Sequence, residues 1–380
     1  MYAENFFSNI SQTPLLVASN ILIIALLYLL LKRSLKKPYR VPKINLRISC
    51  FLAFTFCLFS FWGLDWFGYF ITFENCKHGY NTNLEDFYVF IINELCGNYL
   101  YFRAIVWGGA LLLLYYTIRR LSISTHTFTF FFSCFFLIYF SYARVSLAMA
   151  LMFYGMSLFY CPYKKMHFLS YIIAILALFF SLFLHKSAFI VVAIITISLI
   201  AMKISSRYGL IFTVIMFPLI VYLSQDSITS IMTMDINTEN QIISSLDVAQ
   251  NYLRQDQYAH GIGGQISTLL ESAIYILIAY LCFKFHLSKN YNHTPHEIQI
   301  FTKVAFFIVL CCITLLFNIS YNMDVLYIRI MRFTIIPAAI ILTYFHQTGY
   351  ERITIKAVIM LAWINVSYSL FYTLYNVLLI

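Results

Sequence analysis

Arginines, histidines and carboxylates set between long apolar runs are where this chain can do chemistry. Arg144 stands in SYARVSLAMALMF, and His185 with Lys186 in LFLHKSAFIVV. Arg329 and Arg332 stand in YIRIMRF, three residues apart, so a helix presents both guanidinium groups on one face, where they can address one multivalent anion. A cation beside hydrocarbon is costly, so its default is a partner or an anionic ligand. The competing readings stay open at this stage. Arg144 and the His185/Lys186 pair also suit side chains that reach lipid phosphates from a helix end. Arg329 and Arg332 also suit an ion pair within the membrane, with Asp324 or Glu271. Asp86, Glu94 and His185 are the groups able to take a proton from an attacking hydroxyl, and the three rank equally.

The elements that must position these residues are membrane helices. The chain has 380 residues, 62% hydrophobic and only 11% charged, where a soluble domain carries charge on about a quarter of its residues. Apolar runs of about 20 residues, the length that spans hydrocarbon, recur from end to end. The fold expected is an all-α polytopic membrane protein of about twelve helices. They lie near 14–32, 47–65, 100–118, 126–142, 145–161, 168–184, 187–202, 208–223, 265–285, 300–318, 328–347 and 355–377. A helix from 168 to 202 would be about 50 Å long, too long for one span, so it is divided at His185 and Lys186. The run 15–31 precedes a basic stop-transfer cluster and is read as a retained span.

Charge asymmetry sets the orientation. Lys32, Arg33, Lys36, Lys37, Arg40, Lys43 and Arg47 mark the first connection as cytoplasmic, so both termini face outward. Alternation then places Arg119/Arg120, Lys164/Lys165, Lys203/Arg207 and Arg352/Lys356 inside. Nearly all the acids fall outside, with a few basic residues among them: Lys77, Arg103, Arg144, Lys186, Arg254, Arg329 and Arg332. The net charge of +10 is therefore a topology signal and not a nucleic-acid footprint.

One integral membrane domain, 1–380, is expected, with two outer segments longer than a turn at about 66–99 and 224–264. Cytoplasmic turns are too short for a nucleotide-binding domain, which argues against ATP-driven transport. No His/Cys cluster has metal-ligand spacing, so neither a metal nor a cofactor is expected. Of nine cysteines only Cys76 and Cys96 fall in an outer segment, where an oxidising compartment would permit a disulfide.

The order LEDFYVFIINELCGNYLYF, SYARVSLAMAL, FLHKSAFIV, RIMRF resembles the EpsG-type group of Wzy-like exopolysaccharide and O-antigen polymerases, over about 65–332. Position by position the resemblance points to Asp86, Tyr88, Glu94, Arg144, His185 and Ser187, and further to Arg329 and Arg332. Val145 stands where relatives often have glutamine, and the second outer segment does not align, which leaves Arg254 and His260 assigned from position alone.

The resemblance implies a membrane glycosyltransferase of GT-C-like architecture in the bacterial inner membrane. Its partners would be membrane lipid and an undecaprenyl-diphosphate-linked oligosaccharide, with repeat units joined at the outer face. Arg144, Lys186, Arg254, Arg329 and Arg332 would hold the diphosphate. An O-antigen ligase shares almost all these features. A flippase for the same lipid is the other alternative, disfavoured by the absence of repeated halves. A chain-length regulator is a further partner that the resemblance allows.

Overall fold

The structure is a computed structural model, and it describes residues 13–38, 40–59, 65–80, 84, 86–142, 145–162, 167–185, 187–189, 191–193, 195–196, 262–318, 328 and 330–379. Every regular element among them is helical. Six of these helices are long and apolar enough to cross a membrane. With that composition, the chain is a membrane protein. The expected helix near 208–223 and the segment 224–264, up to Gly261, lie outside the described residues.

Two compact units divide the chain, Met1–Ala188 with Ala339–Ile380, and Phe189–Ala338. In the first unit, α1 (Thr13–Leu31) runs into a 3₁₀ turn, Lys32–Leu35, and then α2 (Lys43–Phe59). Of the expected span 47–65, α2 covers 47–59 and residues 60–64 lie outside the described residues; Asp65 opens a new helix, α3 (Asp65–Lys77). Next come α4 (Asp86–Phe90), a π-helical turn Ile91–Leu95, and α5 (Tyr99–Arg120). The helix expected at 126–142 is α6 (Thr125–Phe131) and α7 (Leu137–Tyr142), joined by a second π turn, Phe132–Phe136. α8 (Ser146–Tyr160) and α9 (His167–Leu184) follow. The division expected at His185 is present: α9 stops at Leu184, and helical backbone resumes at Ser187.

α5 is the centre of this unit. Tyr99, Phe102, Arg103, Val106, Trp107, Ala110, Leu114, Thr117 and Ile118 form a buried stripe at spacings of three and four, against α2 and α8. Its other face shows Tyr101, Leu112, Tyr115 and Tyr116. Both faces are therefore largely apolar, as a helix between protein and lipid requires. Asn98 starts α5 by accepting the Tyr101 N–H on its side chain at 3.0 Å. α8 and α9 cross closely at Gly155, where an added Cβ would lie 3.0 Å from the Ala174 carbonyl oxygen. Small residues at such a crossing let backbones approach where no hydrophobic effect drives helices together.

The second unit carries α10 (Ile262–Leu287) paired with α11 (His296–Asn318), and a 3₁₀ turn at Arg332–Thr334. α12 (Ile335–Thr348) begins in this unit, while its residues from Ala339 on and α13 (Arg352–Leu379) belong to the first unit.

Candidate functional site

The segment bearing Asp86 and Glu94 is held by aromatic packing on α5. Tyr88, Ile91 and Ile92 are buried, at the three-and-four spacing of one helix face. Tyr88 meets Phe102 edge-on at 6.0 Å, while Phe73 of α3 lies 5.4 Å from Tyr99 and 5.8 Å from Phe102. With that face anchored, Asp86 and the run Asn93, Glu94, Leu95 are left exposed. The π turn widens the helix at this point, a distortion that recurs at functional sites.

Glu94 lines an open cleft of about 600 Å³, together with Lys77, Asn93, Cys76, Cys96 and Gly97. Within this lining the Lys77 ammonium donates to the Gly97 carbonyl at 2.9 Å, which ties the end of α3 to the residues that lead into α5. A carboxylate, an amide and an ammonium thus border one solvent-open space, a donor and acceptor set suited to a polyhydroxylated ligand. Cys76 and Cys96 are both buried beside it, as thiols. Burial pushes the Cys96 thiol above its ordinary range, away from the reactive thiolate.

Asp86 opens α4, which packs on α9, the helix whose end leads into His185. The His185 ring is half-buried, and its Nδ1 accepts the Ser187 backbone N–H at 3.1 Å. The Ala188 N–H bonds the His185 carbonyl at 2.9 Å, so His185 caps the helical backbone that follows. With Nδ1 accepting, the neutral ring carries its proton on Nε2 and presents a donor there. Ser187, which the resemblance singled out, supplies the N–H that sets this tautomer.

In the second unit, Arg332 forms the ion pair that the sequence left as one of two readings. Its Nε donates to Glu271 Oε1 and its Nη2 to Glu271 Oε2, each at 3.1 Å. The Tyr275 hydroxyl donates to the same Oε1 at 3.1 Å. Glu271 is 2% exposed and Arg332 12%. Arg144, Lys186, Arg254 and Arg329, and the position-based His260, lie outside the described residues. Among the described residues, no group of three or more His, Cys, Asp or Glu side chains is placed to hold a metal ion.

Sequence reasoning set one cation aside. Arg103 is buried at 2% exposure, stacks on Trp107 with 4.6 Å to the ring centroid, and donates from Nη2 to the Cys57 carbonyl at 2.6 Å. Cys57 belongs to the last turn of α2, where side chains commonly meet the helix carbonyls. Arg103 therefore caps α2, and its charge opposes the negative end of the helix dipole. Its spacing from Tyr99 and Trp107, four residues each way, is the one local signal of this role. Asn93 and Lys77 were likewise not assigned, because nothing in their order along the chain marks a shared cleft.

No curated protein and no solved structure matches this chain. The profile of the EpsG family matches residues 46–378, which takes in the cleft, the His185 cap and the Glu271–Arg332 pair. The chain belongs to the EpsG family.

Proposed function

We propose that this protein is a polysaccharide polymerase, a glycosyltransferase of the bacterial cytoplasmic membrane that joins undecaprenyl-diphosphate-linked repeat units at the outer face. The observation that carries the reading is family membership over residues 46–378. The open, polar cleft at Glu94 on a helical membrane framework supports it.

In the reaction, a hydroxyl at the non-reducing end of a fresh lipid-linked repeat unit attacks the anomeric carbon of the growing glycan. The new C–O bond forms as the bond from that carbon to the diphosphate oxygen breaks. The hydroxyl proton passes to a carboxylate, and the lipid diphosphate leaves as an anion. Glu94 is the base we assign first, because it borders the cleft. Asp86 is the second carboxylate of the same segment. His185, with its proton on Nε2, suits donation to the leaving diphosphate oxygen better than proton abstraction. Arg144, Lys186, Arg254, Arg329 and Arg332 are assigned to the diphosphate, where the planar guanidinium groups match phosphate oxygens through paired hydrogen bonds and the Lys186 ammonium adds a point charge. The donor is already activated, so the scheme uses no nucleotide.

The test is reconstitution of purified protein with a lipid-linked repeat unit and no nucleotide sugar or ATP. A ladder of longer glycans is expected. One transfer onto lipid A core would point to a ligase, and movement of the lipid across the bilayer without a new glycosidic bond to a flippase. Either result overturns the proposal.

A further inference from the structure

The second unit holds a buried carboxylate that the reaction above does not use. Glu271 and Tyr275 stand one turn apart on α10, and both are buried. Glu271 takes two donors of Arg332, one on each oxygen, while Tyr275 adds a third hydrogen bond at Oε1, all at 3.1 Å.

We propose that Glu271 is a positioning residue for the guanidinium of Arg332, and that Tyr275 holds Glu271 in turn. The inference rests on the reading of Arg332 as a diphosphate ligand. A carboxylate that meets an arginine with both oxygens fixes the plane of the guanidinium and not merely the place of a charge. Two of the five N–H donors of that plane are taken by Glu271, so the direction of the others follows from theirs. The backbone of Arg332 is held as well, since Met331, Phe333 and Thr334 beside it are fully buried. An ion pair that served only to tie two segments would need one contact, and apolar residues of similar volume make such a tie equally well. Two parallel bonds plus a tyrosine bond to the same carboxylate set a direction.

Orientation and binding are separable by experiment. Glu271→Gln keeps the shape, offers one acceptor oxygen in place of two, and removes a negative charge near the assigned anion. Binding of the lipid diphosphate is then kept or tightened, while turnover falls. In proteoliposomes supplied with lipid-linked repeat unit from producing cells, Glu271→Gln is expected to lower kcat about tenfold or more without raising KM. Tyr275→Phe leaves the ion pair in place and is expected to lower kcat about threefold. Binding of polyprenyl diphosphate, measured separately, should be unimpaired in both variants. If both keep wild-type kcat per folded molecule, or raise KM at unchanged kcat, the inference is overturned while the polymerase reading stands. A wild-type protein that makes no ladder overturns both. A Glu271→Gln protein that fails to fold leaves the decision to Tyr275→Phe, whose kcat either falls or does not.

Discussion

The Arg103 guanidinium donates to the Cys57 carbonyl oxygen at 2.6 Å, so a side chain in the first turns of α5 closes the end of α2. The same group lies over the ring of Trp107 at 4.6 Å and bonds the Tyr99 hydroxyl at 3.4 Å. Tyr99 in turn belongs to the aromatic cluster that carries the Glu94 cleft, which makes Arg103 a support of the site.

Replacing Arg103 by methionine is therefore expected to destabilise the fold by about 3 kcal/mol. That sums a carbonyl left without its donor and a lost cation–π contact. Arg103→Lys should recover only part of this, because an ammonium cannot bond the carbonyl and stack on the indole with one plane. Thermal unfolding in detergent checks both. An Arg103→Met protein as stable as wild type would show that the cap contributes nothing.

Two helix glycines separate packing from backbone entropy. A Cβ at Gly155 would meet the Ala174 carbonyl at 3.0 Å, Ala177 Cβ at 3.1 Å and Leu178 Cγ at 3.3 Å, whereas one at Gly109 meets only Leu147 Cδ1, at 3.6 Å. Alanine in a helix gains about 1 kcal/mol over glycine, and overpacking costs about 1–3 kcal/mol. Gly155→Ala should lower the melting temperature, and Gly155→Leu should lower it further, while Gly109→Ala should raise it or leave it unchanged. The opposite order in a melting series would refute the close α8–α9 crossing.

The proton acceptor and the proton donor are distinguishable by pairs of variants. Glu94→Gln is expected to cut ladder formation by about 10²-fold or more, with the lipid still bound. His185→Ala should cut it too, while His185→Gln retains the most activity, since its amide can present an N–H near the place of Nε2–H. Ladder kinetics against lipid binding check the set. Full activity in Glu94→Gln would remove that carboxylate from the reaction and leave Asp86 as base.

Orientation rests on charge asymmetry. A cysteine placed at Asn240 is expected to react with an impermeant thiol reagent added from outside intact cells, and one at Lys37 is not. The reverse pattern would turn the whole topology over and place the Glu94 cleft in the cytoplasm.

Membrane class, the positions of most helices and the family were legible in the order of residues. The reason is that hydrocarbon demands long apolar helices whatever they pack against, and runs of that length show without knowledge of neighbours. The break after Leu184 was legible for the same reason, since 168–202 exceeds one span. Arg332 with Glu271 was one of the pairings the order of residues allowed, beside Arg329 and Asp324, because opposite charges within a membrane seek each other; the choice of partner came from the structure. The two π turns were not legible. Each is a register shift that follows from packing on other helices: Phe132–Phe136 reads as ordinary apolar helix, and Ile91–Leu95 as part of the outer segment 66–99. Nor did helical periodicity tell a protein-facing side from a lipid-facing one: on α5 buried Val106 and exposed Leu112 are equally apolar. Arg103 was visible as an outer cation, but its partner is a backbone carbonyl 46 residues away, and every residue has a carbonyl. Composition and spacing thus determine what solvent this chain folds in and where its helices run. Which polar groups meet is decided by contacts between helices distant in the chain, and these follow from packing that no local pattern encodes.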